Sequence, residues 1–140
     1  MAPRSLTGTA VGDTFGPVTI PVTREGLVAY ANASGDQNRI HQDEDFAKSV
    51  GLPDVIAHGM WTMGASGAVV EQWAGDGGRV VEFGTRFTRP VVVPREGAAI
   101  EVTGVVKSLD EQTRRAVVNL TTTCGGEKVL GRCTAVVQLD

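Results

Sequence analysis

Asp36, Asn38 and His41 put a carboxylate, an amide and an imidazole within six residues, in the run Ser34-Gly35-Asp36-Gln37-Asn38-Arg39-Ile40-His41. Such side chains accept, orient and transfer protons, and Gly35 lets the backbone leave a preceding element sharply. As spacing alone, the run fits a polar turn with a solvated histidine as well as it fits a site, because Asp and Asn are common loop residues. The only other histidine, His58, lies in Val55-Ile56-Ala57-His58-Gly59-Met60, which opens a stretch to Trp73 rich in Met, Ala, Gly and Val.

In this order, Gly35-Asp36-x-Asn38-x-x-His41 and then Ala57-His58-Gly59-Met60 resemble the MaoC-type (R)-specific enoyl-CoA hydratase family, which has the hotdog fold. Within it, Val22 to Asp140 is similar to the catalytic B subunits of mycobacterial-type (3R)-hydroxyacyl-ACP dehydratases, through Ser34-Gly35-Asp36, Ile56 to Met60, Thr62-Met63-Gly64, Arg86-Phe87-Thr88 and Gly131-Arg132. The resemblance implies one α+β hotdog domain over residues 1–140, a curved antiparallel sheet wrapped around a central helix. It implies pairing with a second hotdog subunit, as a homodimer or a heterodimer. The implied reaction is reversible dehydration of (3R)-hydroxyacyl thioesters of CoA or acyl carrier protein to trans-2-enoyl thioesters, without metal or organic cofactor. Asp36 and His41 would hold and activate one water, and the Gly59 amide would meet the thioester oxygen. Two alternatives stay open: a hotdog acyl-thioesterase, and an acyl-binding subunit of a heterodimeric dehydratase. The Asp36/His41 pair speaks against both.

That chemistry needs two proton movements and a donor for charge on the thioester oxygen. A helix beginning at Gly59 offers unpaired N–H groups, and a residue without a side chain lets the thioester come close. His58 is expected to prop the loop through its ring, and Asn38 to orient the Asp36 loop. Arg39 stands where the family motif usually has Pro, a cation at the edge of the site that could meet a phosphate, a carboxylate or solvent. The central-helix serine of many hydratases falls on Gly67, while Ser66 points about 100° away. The missing side chain is expected to enlarge the acyl pocket. Met60, Met63, Val80, Phe83 and Phe87 are candidate pocket walls, and Arg86 and Arg89 lie where a phosphopantetheine arm could enter.

At 140 residues with a net charge of −3 and no Lys/Arg run, the chain fits one domain and no nucleic-acid grip. No signal peptide and no apolar run of about 18 residues is apparent, so a cytoplasmic protein without a membrane span is expected. Cys124 and Cys133 are read as two buried, inert thiols on a hairpin turning at Gly125-Gly126-Glu127-Lys128. The pattern predicts a short strand around Val18 to Val22, a helix capped by Thr23 and stopped at Gly35, a short helix after Asp43-Glu44-Asp45, and a buried helix from Gly59 to Ala74, apolar nearly all round. Strands follow at Val80 to Thr88, Ile100 to Val105, Ala116 to Cys124 and Val129 to Leu139.

Overall fold

The computed structural model describes residues 2–140. Strand β1 (Thr14–Val22) leads into helix α1 (Arg24–Ser34), whose first turn is closed by the Thr23 hydroxyl accepting the Gly26 N–H. Gly35 ends α1 at φ 82°, a left-handed conformation that glycine adopts without strain. A 3₁₀ turn (Arg39–His41) and helix α2 (Glu44–Ser49) follow, then α3 (Gly59–Ala74). The remaining strands are β2 (Val80–Phe87), β3 (Ala98–Asp110), β4 (Arg115–Cys124), the two-residue β5 (Glu127–Lys128) and β6 (Leu130–Gln138). β1 begins four residues before the expected strand, since its pairing with β3 continues past a register shift to Thr14.

All strand pairs are antiparallel, in the order β1-β3-β4-β6-β2 with β5 on β4. Both edge strands, β1 and β2, and the inner strands β3 and β6 touch α3, so the sheet wraps around this one helix. This is the hotdog arrangement. The core lies between them: Val69, Val70, Trp73 and Ala74 of α3 are buried with Ile100, Val102, Val118, Ala135 and Val137 of the sheet. Ser66, wholly buried, donates its hydroxyl to the Thr62 carbonyl of the same helix at 2.9 Å and is hydrogen-bonded to the Thr122 hydroxyl of β4 at 2.8 Å, which ties the helix to the sheet.

Two expectations are corrected. The helix is not buried all round: Met60 is 58% exposed, and Gly64, Ala68 and Glu71 continue an open face. High mean apolarity concealed that face because two of its positions, Gly64 and Ala68, are neutral in any pattern count and Met60 counts as apolar. The hairpin after Cys124 is a two-residue Gly125-Gly126 turn that pairs Cys124 with Glu127, and Cys124 is half-buried while Cys133, opposite Leu120, is buried. Burial pushes both thiols above their ordinary range.

Candidate active site

Three chain segments converge at the N-terminus of α3. The Asp36 loop is shaped by its own side chains: Asp36 N–H donates to Ser34 Oγ at 3.1 Å, Asn38 N–H to Asp36 Oδ1 at 3.1 Å, and Ile40 N–H to Asn38 Oδ1 at 3.2 Å. Asn38 thereby caps the 3₁₀ turn that delivers His41. The second segment is pinned by Ile56, whose N–H donates to the Ile40 carbonyl at 3.1 Å and whose carbonyl accepts His41 Nδ1–H at 2.7 Å. Ladder bonds from Ala57 to Val91 and from Val93 to Val55 fix this segment to the third. Behind it, Arg24 donates to the Val93 carbonyl, to Asp54 and to Glu44, and Arg95 also holds Glu44. Those two guanidinium groups, Arg95 first, bring the Glu44 carboxyl down to about 2.

His41 is buried, with Nδ1–H spent on Ile56, so Nε2 carries the free lone pair. That lone pair faces Asp36 Oδ2 at 4.0 Å, too far for a hydrogen bond and a span that one oxygen about 2.8 Å from each would bridge. The Asp36 side chain is 53% exposed. Burial pushes the His41 imidazole below its ordinary 6.5; the Ile56 bond opposes this, His58 adds to it and Asp36 opposes it.

His58, 2% exposed, stacks on His41 with ring centres 3.7 Å apart and planes 22° from parallel. Its Nε2–H donates to the Asp36 carbonyl at 3.1 Å, and its buried Nδ1 has no partner among the described residues. Donor atoms of Asp36, His41 and His58 all lie within 4.8 Å of one another. The near-parallel ring planes do not meet within a metal–nitrogen bond of about 2.1 Å, so the two imidazoles are poorly arranged to share one ion. Among the described residues, no acceptor meets the N–H of Gly59 or Met60, which are free donors at the positive end of the 16-residue α3.

Two cavities open here. One, of about 260 Å³, is lined by His41, Ile56, Thr62, Phe87, Arg89 and Val129. The other, of about 360 Å³, is lined by Tyr30, Ser34, Asp36, His58, Met60 and Phe87. Gly59 borders both. Met63 and Phe83 line neither. Phe83 instead lies on α3, where a β-carbon at Gly67 would meet its Cε2 at 3.0 Å. The space expected from the absent serine is therefore filled by an aromatic ring. Arg39 stays outside both cavities, paired with Asp43 at 2.9 Å and laid over the Phe46 ring. Arg89, at the first cavity, pairs with Glu127; Arg86 borders neither. Sequence reasoning missed Tyr30, which packs against His58 with ring centres 4.7 Å apart. Nothing in its place on α1 distinguishes it from a packing position in the sequence.

The family model described as MaoC like domain matches residues 7–124. The chain belongs to the MaoC-like dehydratase family. Among curated relatives, this MaoC-like domain is 34% identical over 110 residues to 3-hydroxybutyryl-CoA dehydratase of Methylorubrum extorquens, covering 78% of the chain and 68% of the relative. It is 40% identical over 73 residues, 52% of the chain, to 3-hydroxyacyl-thioester dehydratase X of Mycobacterium tuberculosis. It spans only 25% of that relative, and 5% of the fatty acid synthase beta subunit TOXC of Cochliobolus carbonum. Among solved structures, a MaoC-like dehydratase superposes with a TM-score of 0.96 at 42% identity, over 99% of this MaoC-like domain and 43% of that chain. A likeness of fold alone, at 21% identity and a TM-score of 0.77, covers 92% of the domain and 95% of a chain in the ChsH1-ChsH2 complex of M. tuberculosis. Among the described residues, no helix is long and apolar enough to cross a membrane.

Proposed function

We propose that this MaoC-like domain catalyses the reversible hydration of trans-2-enoyl thioesters to (3R)-hydroxyacyl thioesters, with Asp36 and His41 as the proton-handling pair. The observation that carries this reading is the free Nε2 of His41 facing the Asp36 carboxylate across 4.0 Å, beside the unpaired N–H of Gly59. In the hydration direction a water held between the two groups adds its oxygen to C3. Its proton passes to the pair and returns to C2, so atoms and charge balance. Negative charge on the thioester oxygen is met by the Gly59 N–H, a kind of donor worth about 3–4 kcal/mol of barrier. Asn38 and His58 act as supports, and Met60 and Phe87 as walls for the substrate. The names of the relatives, dehydratases of hydroxyacyl thioesters, support the same reaction class.

Pairing with a second hotdog chain belongs to the same reading. β2 is an edge strand, its last residue Phe87 and Met60 of the same cavity wall are more than half exposed, and Asp36 is half open to solvent. Such a partner would cover the site and exclude water. A cytoplasmic location, with such thioesters available there as substrates, belongs to the same proposal.

The test is loss of enoyl-thioester absorbance on adding the protein, alone and co-expressed with a partner hotdog chain, with light scattering for oligomeric state. Turnover that disappears in Asp36→Asn and His41→Ala supports the reading. Free thiol without hydrated product would establish a thioesterase instead.

A further inference from the structure

Two buried hydroxyls stand one turn apart on α3 and are bonded unequally. Ser66 donates to the carbonyl four residues back at 2.9 Å, the usual back-bond of a helical serine or threonine. Thr62 reaches the corresponding carbonyl, that of His58, only at 3.5 Å, beyond the roughly 3.0 Å limit of a sound O–H···O bond. That carbonyl is already occupied, since the N–H groups of Trp61 and Thr62 donate to it at 3.0 and 3.2 Å and fill its two lone pairs. Thr62 is 3% exposed, and its hydroxyl has no other partner among the described residues. A buried donor left this way is uncommon and costs stability, which calls for a reason.

The reason lies in what Thr62 faces. It lines the cavity of about 260 Å³ whose wall also holds His41 and Gly59. Gly59 is three positions earlier and so on the same face of α3, and a helical side chain leans back over the turn before it. The Thr62 hydroxyl is thereby carried toward the end of the helix where the Gly59 N–H is free. Ile56, Val91, Val129 and Leu130 make up much of the remaining wall and bring no side-chain acceptor. An acyl thioester would bring one oxygen at C1 and, once hydrated, a second at C3. Thr62 belongs to the packed first turn of the helix, so its place does not depend on what covers the β2 edge.

We propose that Thr62 is a substrate-binding residue of this site, its hydroxyl donating to an oxygen of the acyl thioester held in the His41 cavity. The inference rests on the hydratase reading and adds a side-chain donor to the backbone donor at Gly59.

The experiment compares Thr62→Val, which keeps the shape and removes the hydroxyl, with Thr62→Ser, which keeps the hydroxyl. Both are made in the full chain, with a co-expressed partner subunit where turnover needs one. Hydration of crotonyl-CoA is expected to fall about 10-fold in kcat/KM in Thr62→Val, the loss of one hydrogen bond, and to be restored in Thr62→Ser. Tm is expected to hold in both variants, because no sound bond within the protein is removed, and the acid limb of the pH profile to stay in place. To find which oxygen is met, butyryl-CoA and (3R)-hydroxybutyryl-CoA are titrated by calorimetry onto Asp36→Asn, with and without Thr62→Val, so that neither ligand turns over. Weaker binding of both assigns the thioester oxygen; weaker binding of the hydroxy ligand alone assigns the oxygen at C3. Wild-type kcat/KM in Thr62→Val, or a loss that Thr62→Ser does not restore, overturns the inference and, with Asp36→Asn inactive, leaves the hydratase reading intact. A wild-type chain that hydrates no enoyl thioester and binds neither ligand overturns both.

Discussion

The ring of His58 lies against that of His41 at 3.7 Å while its Nε2–H holds the carbonyl of Asp36 at 3.1 Å. One side chain thus sets the spacing of the other two. His58→Phe keeps a flat ring but removes the hydrogen bond. The expected result is a fall of about 10-fold in kcat, the equivalent of one hydrogen bond, with the acid limb of the pH profile moving up, because His58 is among the groups that lower His41. A lowered Tm with an unmoved limb would reduce His58 to packing.

Asp36 and His41 act as a unit in the proposed reaction. Asp36→Asn and His41→Ala are each expected to lower kcat by about 10²–10⁴-fold, and the double variant to be no worse than the worse single one. Multiplicative losses, measured by enoyl-thioester hydration, would show two independent groups.

Burial places the His41 titration below 6.5. Its bare Nε2 is therefore present across neutral pH, and kcat/KM is expected to fall only as pH drops below about 6.5. Stability follows the same sign. The unfolded chain takes up the proton first, so the contribution of neutral His41 is full above the unfolded value and is lost as pH falls through the lower folded one. Denaturation series between pH 7.5 and pH 4.5 check this, and a His41→Gln variant should show a flatter curve.

Ser66 and Thr122 are both wholly buried and bond each other at 2.8 Å. Ser66→Ala leaves the Thr122 hydroxyl without that partner, at a cost of about 1–3 kcal/mol in urea unfolding. A loss under about 0.3 kcal/mol would mean that the helix-to-sheet bond contributes nothing net.

Gly67→Ala pushes on the Phe83 ring at 3.0 Å while removing a helix glycine worth about 1 kcal/mol. These effects offset each other, so stability should change by less than about 1 kcal/mol. Adding Phe83→Leu should reveal a coupling of about 0.5–3 kcal/mol in a double-mutant cycle. Simple additivity would mean that the ring does not occupy the serine space.

Local chemistry made much of this legible in one dimension. Thr23 and Gly35 close α1 through their own hydroxyl and left-handed backbone, Asp43 caps α2, and the strands expected at Ile100 to Val105, Ala116 to Cys124 and Val129 to Leu139 became β3, β4 and β6. The Asp36 to His41 turn is likewise stabilised by bonds within it, so its shape was written in adjacent residues. What needed the tertiary structure were relations across the chain. Which His41 nitrogen is free depends on a carbonyl fifteen residues away. Phe83 fills the space beside Gly67, and Phe87 lies against Gly59 and lines both cavities, because the fold brings β2 onto α3. Glycine and alanine on the open face of α3 carried no hydrophobic signal either way, since exposure of a small residue is decided only by what packs beside it.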